Sequence, residues 1–470
     1  MAIDTLSEHS TASIELSRIQ KAAAVLMGAL IMGAMWRLRG DHGYGAAWGL
    51  LTCGMMFSLF VFAIFGFRRK INFLLFSVTA ASFMLTTPGW GTLNSQITGV
   101  LESGLYGEDG QMITVFINPF TGVFLMLCLG FGMAALFAFF LGRFFSDRAY
   151  TWKDILLVLT VYFAVKYVAR AAISPLILDL VQPQAGELFA QGLRQSGIDG
   201  TPWQIYIQHY FDHPWAKAIH GGRNYFTSIN IISSAITAAA VWLTVRFGLK
   251  DKTGGRIMLG ICAAFAFAIT FADLLLYFSA GGYRMEQTFS STLLKFSGWS
   301  MWEYATGFLA GGLLMLIFVL LPFDRLASNA DKEEAFTAKM PEWLYGALNV
   351  ILTLGLCFSV TLVRPFALRY EGTNLYVPLF IGLGGLFLFG VIFMVKKKGA
   401  GLQTIHFNRF CVFALPVYFT LHILIYFFAG TPERQQFRHM DGTANQLVIA
   451  SFVLFCLLYP LLFKDSGIRS

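Results

Sequence analysis

Runs of about twenty apolar residues recur along almost the whole chain. Each is long enough, as a helix, to cross the ~30 Å hydrocarbon core of a bilayer. No water is available there, so backbone N–H and C=O groups must pair with each other, which leaves helices and closed barrels as the only spanning structures. The period-two alternation of barrel strands is missing. The expected fold class is therefore all-α, a polytopic integral membrane protein with about twelve transmembrane helices. They are expected near 20–38, 46–67, 71–87, 120–142, 154–173, 227–247, 257–279, 299–321, 342–362, 375–395, 409–429 and 446–463. Composition agrees, with 13% of residues charged and 56% hydrophobic, against about 25% charged in a soluble domain. Two segments are atypical: 71–87 is short and runs into Pro88, and 154–173 carries Lys166 and Arg170.

The chain divides into a polar tail over 1–19, one membrane domain over 20–463 and a tail over 464–470, with the longest loop at about 174–226. The first 17 residues hold no short apolar region with a small-residue cleavage site, so the first span is expected to serve as an uncleaved anchor. No internal repeat is evident. With the N-terminus in the cytoplasm, the inner pieces carry 21 Lys and Arg, the outer pieces 11, and the segment 154–173 the other two. That bias predicts both termini on the cytoplasmic side of the cytoplasmic membrane. The net charge of +8 is mostly this inner girdle, which suits anionic headgroups and needs no nucleic acid. All six cysteines lie in apolar runs without a CxxC pair, and are expected as small buried residues rather than disulfides or metal ligands.

The outer face then holds most of the polar chemistry. "MWRLRGDHGYGAAWG", residues 35–49, sets Arg37, Arg39, Asp41 and His42 among Gly40, Gly43 and Gly45, and is expected as a tight bend after the first span. Within the spans, Lys166, Arg170, Asp273, Glu303 and His422 all fall in outer halves. A charge in hydrocarbon costs about 2.5–3.5 kcal/mol on insertion scales, so such groups face a cavity or one another. Asp273 or Glu303 could simply neutralise Lys166 or Arg170 between helices.

A surplus of arginines at headgroup depth points to an anionic ligand, since the guanidinium fork matches phosphate and carboxylate. The expected substrate-binding residues are Arg37, Arg39, Lys166, Arg170, Arg223, Asn224, Arg284 and Arg364, with the indoles of Trp90 and Trp302. Snorkelling of interfacial Arg and Lys to lipid phosphate is the plainer account of any one of them. Asp41, His42, Asp273, Glu303 and His220 are the expected catalytic groups, because carboxylates and imidazoles handle protons. A capped glycine turn would also explain "RGDHGYG". "HGGRNYF", residues 220–226, could cradle an oxyanion on backbone amides, or simply lead into a helix.

His209 and His213 have zinc spacing if helical, but no HExxH accompanies them and Pro214 follows, so an amphipathic surface helix is the expectation. Neither metal nor cofactor is expected. Gly307 and Gly311, four apart, predict a close helix–helix approach. No G-x-S-x-G, Walker A or dinucleotide fingerprint occurs.

With many spans and an acidic residue in the first outer bend, the chain is similar in outline to glycosyltransferases that use lipid-linked sugars. Their first outer loop is long where this one is tight, and the likeness transfers no residues. Polar groups stacked at one face suit an enzyme at the outer leaflet, a transferase or hydrolase acting on a lipid-linked or glycan anionic substrate. The expected partner is thus a membrane lipid or lipid-linked substrate. The alternatives are a secondary transporter of an organic anion, which needs a site near the midplane, and a scaffold or sensor without catalysis.

Overall fold

The structure is a computed structural model, and the residues it describes are 16–41, 47–65, 78–79, 82–83, 104–106, 112–114, 120–146, 148–209, 219–279, 298–321, 407–428 and 442–463. Regular structure among them is helical apart from one small hairpin. Its strands, β1 Gly104–Tyr106 and β2 Met112–Thr114, pair antiparallel. The first helices are α1 Arg18–Asp41, α2 Ala47–Phe65, α3 Phe120–Met133, α4 Ala135–Phe144 and α5 Trp152–Val168. After them come α6 Ser174–Val181, α7 Pro183–Gln195, α8 Pro202–Gln208 and α9 Gly222–Leu243. The last four are α10 Lys252–Ser279, α11 Gly298–Leu320, α12 Phe407–Phe428 and α13 Gly442–Phe463.

Among the described residues, six stretches are long and apolar enough to cross a bilayer: Arg18–Arg39, Trp152–Val181, Asn224–Gly248, Lys252–Leu275, Trp302–Leu320 and Asn445–Phe463. A seventh is possible if α3 and α4, bent by 44°, form one span. The chain is a helical membrane protein. Of the other expected spans, 46–67 and 409–429 coincide with α2 and α12. Those at 342–362 and 375–395, and nearly all of 71–87, lie outside the described residues. Large apolar side chains on α5 and α6, including Leu156, Phe163, Leu176 and Leu180, are exposed, as lipid-facing residues are in a membrane protein.

Helix starts are written locally. Ser17 and Gln20, Thr151 and Asp154, and Thr201 and Gln204 each exchange side-chain and backbone hydrogen bonds across three residues. These capping boxes satisfy amides that a first turn leaves unpaired.

Two of the prolines inside helices are handled by distant side chains. Pro175 has no N–H to give the Ala171 carbonyl four residues back. The backbone widens there into a π-helical turn, Ala169–Ile173, and the Trp203 indole donates to Ala171 O at 2.7 Å. Pro416 in α12 likewise deprives the Val412 carbonyl, and Tyr459 of α13 donates its hydroxyl to it at 2.8 Å. The span expected at 154–173 therefore continues through the π turn to Val181, and the long loop that follows contains α7 and α8.

α1 is the central helix, packed against α11, α13, α2 and α12, while α10 joins α11 to α3 and α4. α1 and α11 run antiparallel and very close. A Cβ on Gly307 would strike the Met32 carbonyl oxygen, and one on Gly311 the Gly28 carbonyl oxygen. The two glycines do what their spacing predicts, with α1 as the partner. Aromatic rings fill the layer beside this contact: Trp36, Phe57, Phe83, Phe137 and Phe265 pack with centroids such as Phe83–Phe137 at 5.1 Å and Phe57–Phe265 at 5.6 Å. The five described cysteines are free. Against expectation Cys456 is exposed, because it lies on an outward face of α13.

A polar knot closes the end of the bundle where α4 leads to α5 and α9 to α10. Asp251 accepts from Ser146 Oγ at 2.6 Å, Tyr150 Oη at 2.5 Å and the Gly254 amide at 2.8 Å. Arg148 donates to the Leu249 carbonyl at 2.7 Å and pairs with Asp154 at 2.9 Å.

Candidate functional site

The opposite end of α1 gathers the costliest polar groups. Arg37 and Arg39 are both buried, 3% and 4% exposed, in the last turns of a helix that runs on to Asp41. The first helix thus runs past its expected end at residue 38, so that Arg39 as well as Arg37 is helical, while residues 42–46 of the expected bend lie outside the described residues. The reason is tertiary, since each has a partner on α11. Two residues apart on a helix means about 200° of rotation, so they point in different directions. Arg37 Nη1 meets Glu303 Oε2 at 2.7 Å. The Arg39 guanidinium carbon lies 4.6 Å from the Trp36 ring centroid and 6.0 Å from that of Trp302. A cation over an indole face is attracted by the ring quadrupole. Cys53 of α2 is close enough to feel both Arg39 and Glu303.

Glu303 is the more open member of the pair, its side chain 13% exposed against 4% for Arg37. Next to it in the chain, Trp302 is buried, with Asp273 of α10 as neighbour to its indole N–H. Tyr304 turns the other way, against Gly33, and shares a 2.8 Å hydrogen bond with Ser451 of α13. α1, α2, α10, α11 and α13 thus all contribute to this end. Among the described side chains, Arg37 engages the Glu303 carboxylate and Arg39 lies against two indoles: a setting for a small anion carried on an apolar body.

Lys166 and Arg170 form a separate group. The Arg170 Nε–H donates to Tyr206 Oη at 2.9 Å, and Tyr206 passes its own hydrogen to Asn230 Oδ1 at 3.3 Å. Lys166 Nζ donates to Tyr162 Oη at 3.3 Å, one turn back. Glu303, one of the two carboxylates that could have neutralised Lys166 or Arg170, engages Arg37, because α11 packs along α1. Tyr206 and Asn230 are polar partners that sequence reasoning misses, since neither stands out in its own stretch.

His220 and Asn224 flank the start of α9, where Gly221 takes a left-handed φ of 73° as N-cap. A Cβ on Gly221 would strike the Phe189 backbone, and one on Gly192 the His220 carbonyl. The close seating of α7 accounts for a glycine at both positions. Asn224 is buried and His220 half-buried.

His42, Trp90, Arg284 and Arg364 lie outside the described residues, as do the side chains of Asp41 and Arg223. His209 terminates α8, while Asp212 and His213 lie outside the described residues. Among the described residues no three His, Cys, Asp or Glu side chains gather as a metal site. Comparisons with protein-family models, curated proteins and solved structures find no match to this chain.

Proposed function

We propose that the chain is a twelve-span protein of the cytoplasmic membrane, both termini cytoplasmic, that acts at the outer leaflet as a transferase or hydrolase. Its substrate is an anionic lipid-linked or glycan molecule, bound at the α1–α11 end. One observation carries this reading: Arg39 held between Trp36 and Trp302 beside the Arg37–Glu303 pair. Arg37 follows Arg18 by 19 residues, about 29 Å of helix rise, which is the full depth of the hydrocarbon core. A site at that depth meets a headgroup rather than an acyl chain.

In this mechanism the anionic group of the substrate takes up Arg37 and Arg39. As it does so, Arg37 loosens its hold on Glu303. The freed carboxylate then accepts the proton of an attacking hydroxyl as general base, that oxygen bonds the sugar carbon, and the bond from that carbon to the lipid phosphate breaks, the phosphate leaving as an anion held by the two arginines. Indole faces bear on the apolar side of a sugar or prenyl body.

A second reading, a secondary carrier of an organic anion, has the deeply buried Asp273 carboxyl in its favour. Purified protein with polyprenyl-phosphate-linked sugars in detergent, without any ion gradient, separates the two. Product formation by the wild type, lost in Glu303→Gln and weakened through KM in Arg39→Ala, is the expected result. Gradient-driven anion uptake into vesicles with no product would overturn it.

A further inference from the structure

Asp273 enters the interior of the bundle with no counter-charge beside it among the described residues. The residue is 2% exposed, and neither carboxyl oxygen makes a hydrogen bond among the described residues. Its polar neighbour is the Trp302 indole N–H. Charged and titratable groups on the surrounding helices are otherwise engaged or remote. On α11, Glu303 is paired with Arg37 and Tyr304 bonds Ser451. Arg39 of α1 lies over the Trp302 ring, and Cys53 is near it on α2. α3 offers only Cys128. Arg143 of α4 and Arg246 after α9 are at the far end of α10, by Gly254 and Gly255. At the near end of α9, Tyr225 packs on Phe189 and Tyr206, away from α10, and the Arg223 side chain lies outside the described residues.

An ionised carboxylate in an apolar interior without a counter-charge is so costly that such a group takes up a proton instead. We infer that Asp273 is a proton-binding site, a neutral carboxylic acid at neutral pH whose proton exchanges with water. The exchange is COOH to COO⁻ with water as acceptor. It needs no co-reactant, and it would serve an enzyme as a proton store or a carrier as a coupling site.

Infrared spectroscopy of the ligand-free protein in lipid nanodiscs at about pH 7, far above the ordinary carboxyl range, reads the proton directly. A C=O stretch of a neutral acid should be present in the wild type, retained in Glu303→Gln, absent from Asp273→Asn, and shifted in D₂O. Should Asp273→Asn fail to fold, ¹³C labelling of the aspartate carboxyls in the wild type must move the same band. Absence of the band, its loss in Glu303→Gln instead, or no response to D₂O would overturn the inference. No substrate is used, so failure here is distinct from failure of the proposed reaction.

Discussion

Arg37 Nη1 lies 2.7 Å from Glu303 Oε2, joining the last turns of α1 to the second turn of α11, with side chains 4% and 13% exposed. Removing one charge leaves the other buried and unmatched, at a cost of about 3–5 kcal/mol. Replacing both with apolar residues of similar size leaves neither. Melting temperatures of purified Arg37→Met, Glu303→Leu and the double variant should therefore show the double variant more stable than either single one. Strictly additive losses would mean that the two residues do not couple.

Glycine at 311 is a packing requirement. Gly311→Leu drives a side chain into the Gly28 carbonyl and should abolish the monodisperse folded protein. Gly312→Ala, where a Cβ meets only the Ala29 Cβ at 3.3 Å, should cost no more than about 1 kcal/mol. Size-exclusion profiles and melting temperatures check both, and equal behaviour would contradict the close crossing.

At the other end of the bundle, burial first and the Asp251 charge second push the Tyr150 hydroxyl above the ordinary tyrosine range. A raised value means the folded state holds this proton more tightly than the unfolded chain does. The resulting stability is fully present at neutral pH and falls as pH climbs past about 10. Melting temperature followed from about pH 8 to pH 11 should decline more steeply in the wild type than in Tyr150→Phe. At neutral pH the same variant should be less stable by about 1–3 kcal/mol, through the lost hydrogen bond to Asp251.

Orientation is checked by single cysteines at Leu105 and Lys397 in a cysteine-free background. An impermeant thiol reagent should mark position 105 on intact cells and position 397 only after permeabilisation. The opposite pattern would put the Arg37 end of the bundle on the cytoplasmic side.

The spans are legible because length and apolarity are local properties, and Gly307 with Gly311 is legible because its spacing is a helix property. What partners these residues is not local. Gly40, Gly43 and Gly45 predict a bend from about residue 38, yet α1 runs to Asp41, since Trp36, Arg37 and Arg39 meet residues far along the chain. Charges at 37 and 303 are each conspicuous in an apolar run, but nothing near either one reveals that they pair. Pro175 and Pro416 announce free carbonyls at 171 and 412, while the donors, Trp203 and Tyr459, are ordinary interfacial aromatics until the helices are assembled. Lys166 and Arg170 share a face as their spacing predicts. Tyr162 and Tyr206 supply the hydroxyls they meet, which nothing in the stretch around Lys166 and Arg170 reveals.

Arg37 and Glu303 are separated by 266 positions in the chain. At roughly 5–20 residues per second of synthesis, Arg37 emerges from the ribosome about 13 to 50 seconds before its counter-charge is made. During that interval the first helix carries two guanidinium groups with no partner on α11. It must therefore linger at the membrane surface or in the protected environment of the insertion machinery until α11 arrives. Biogenesis of this protein is thus tied to a late event, and a chain truncated before residue 298 should be recognised as unfinished even though its first helix is long and apolar enough to insert.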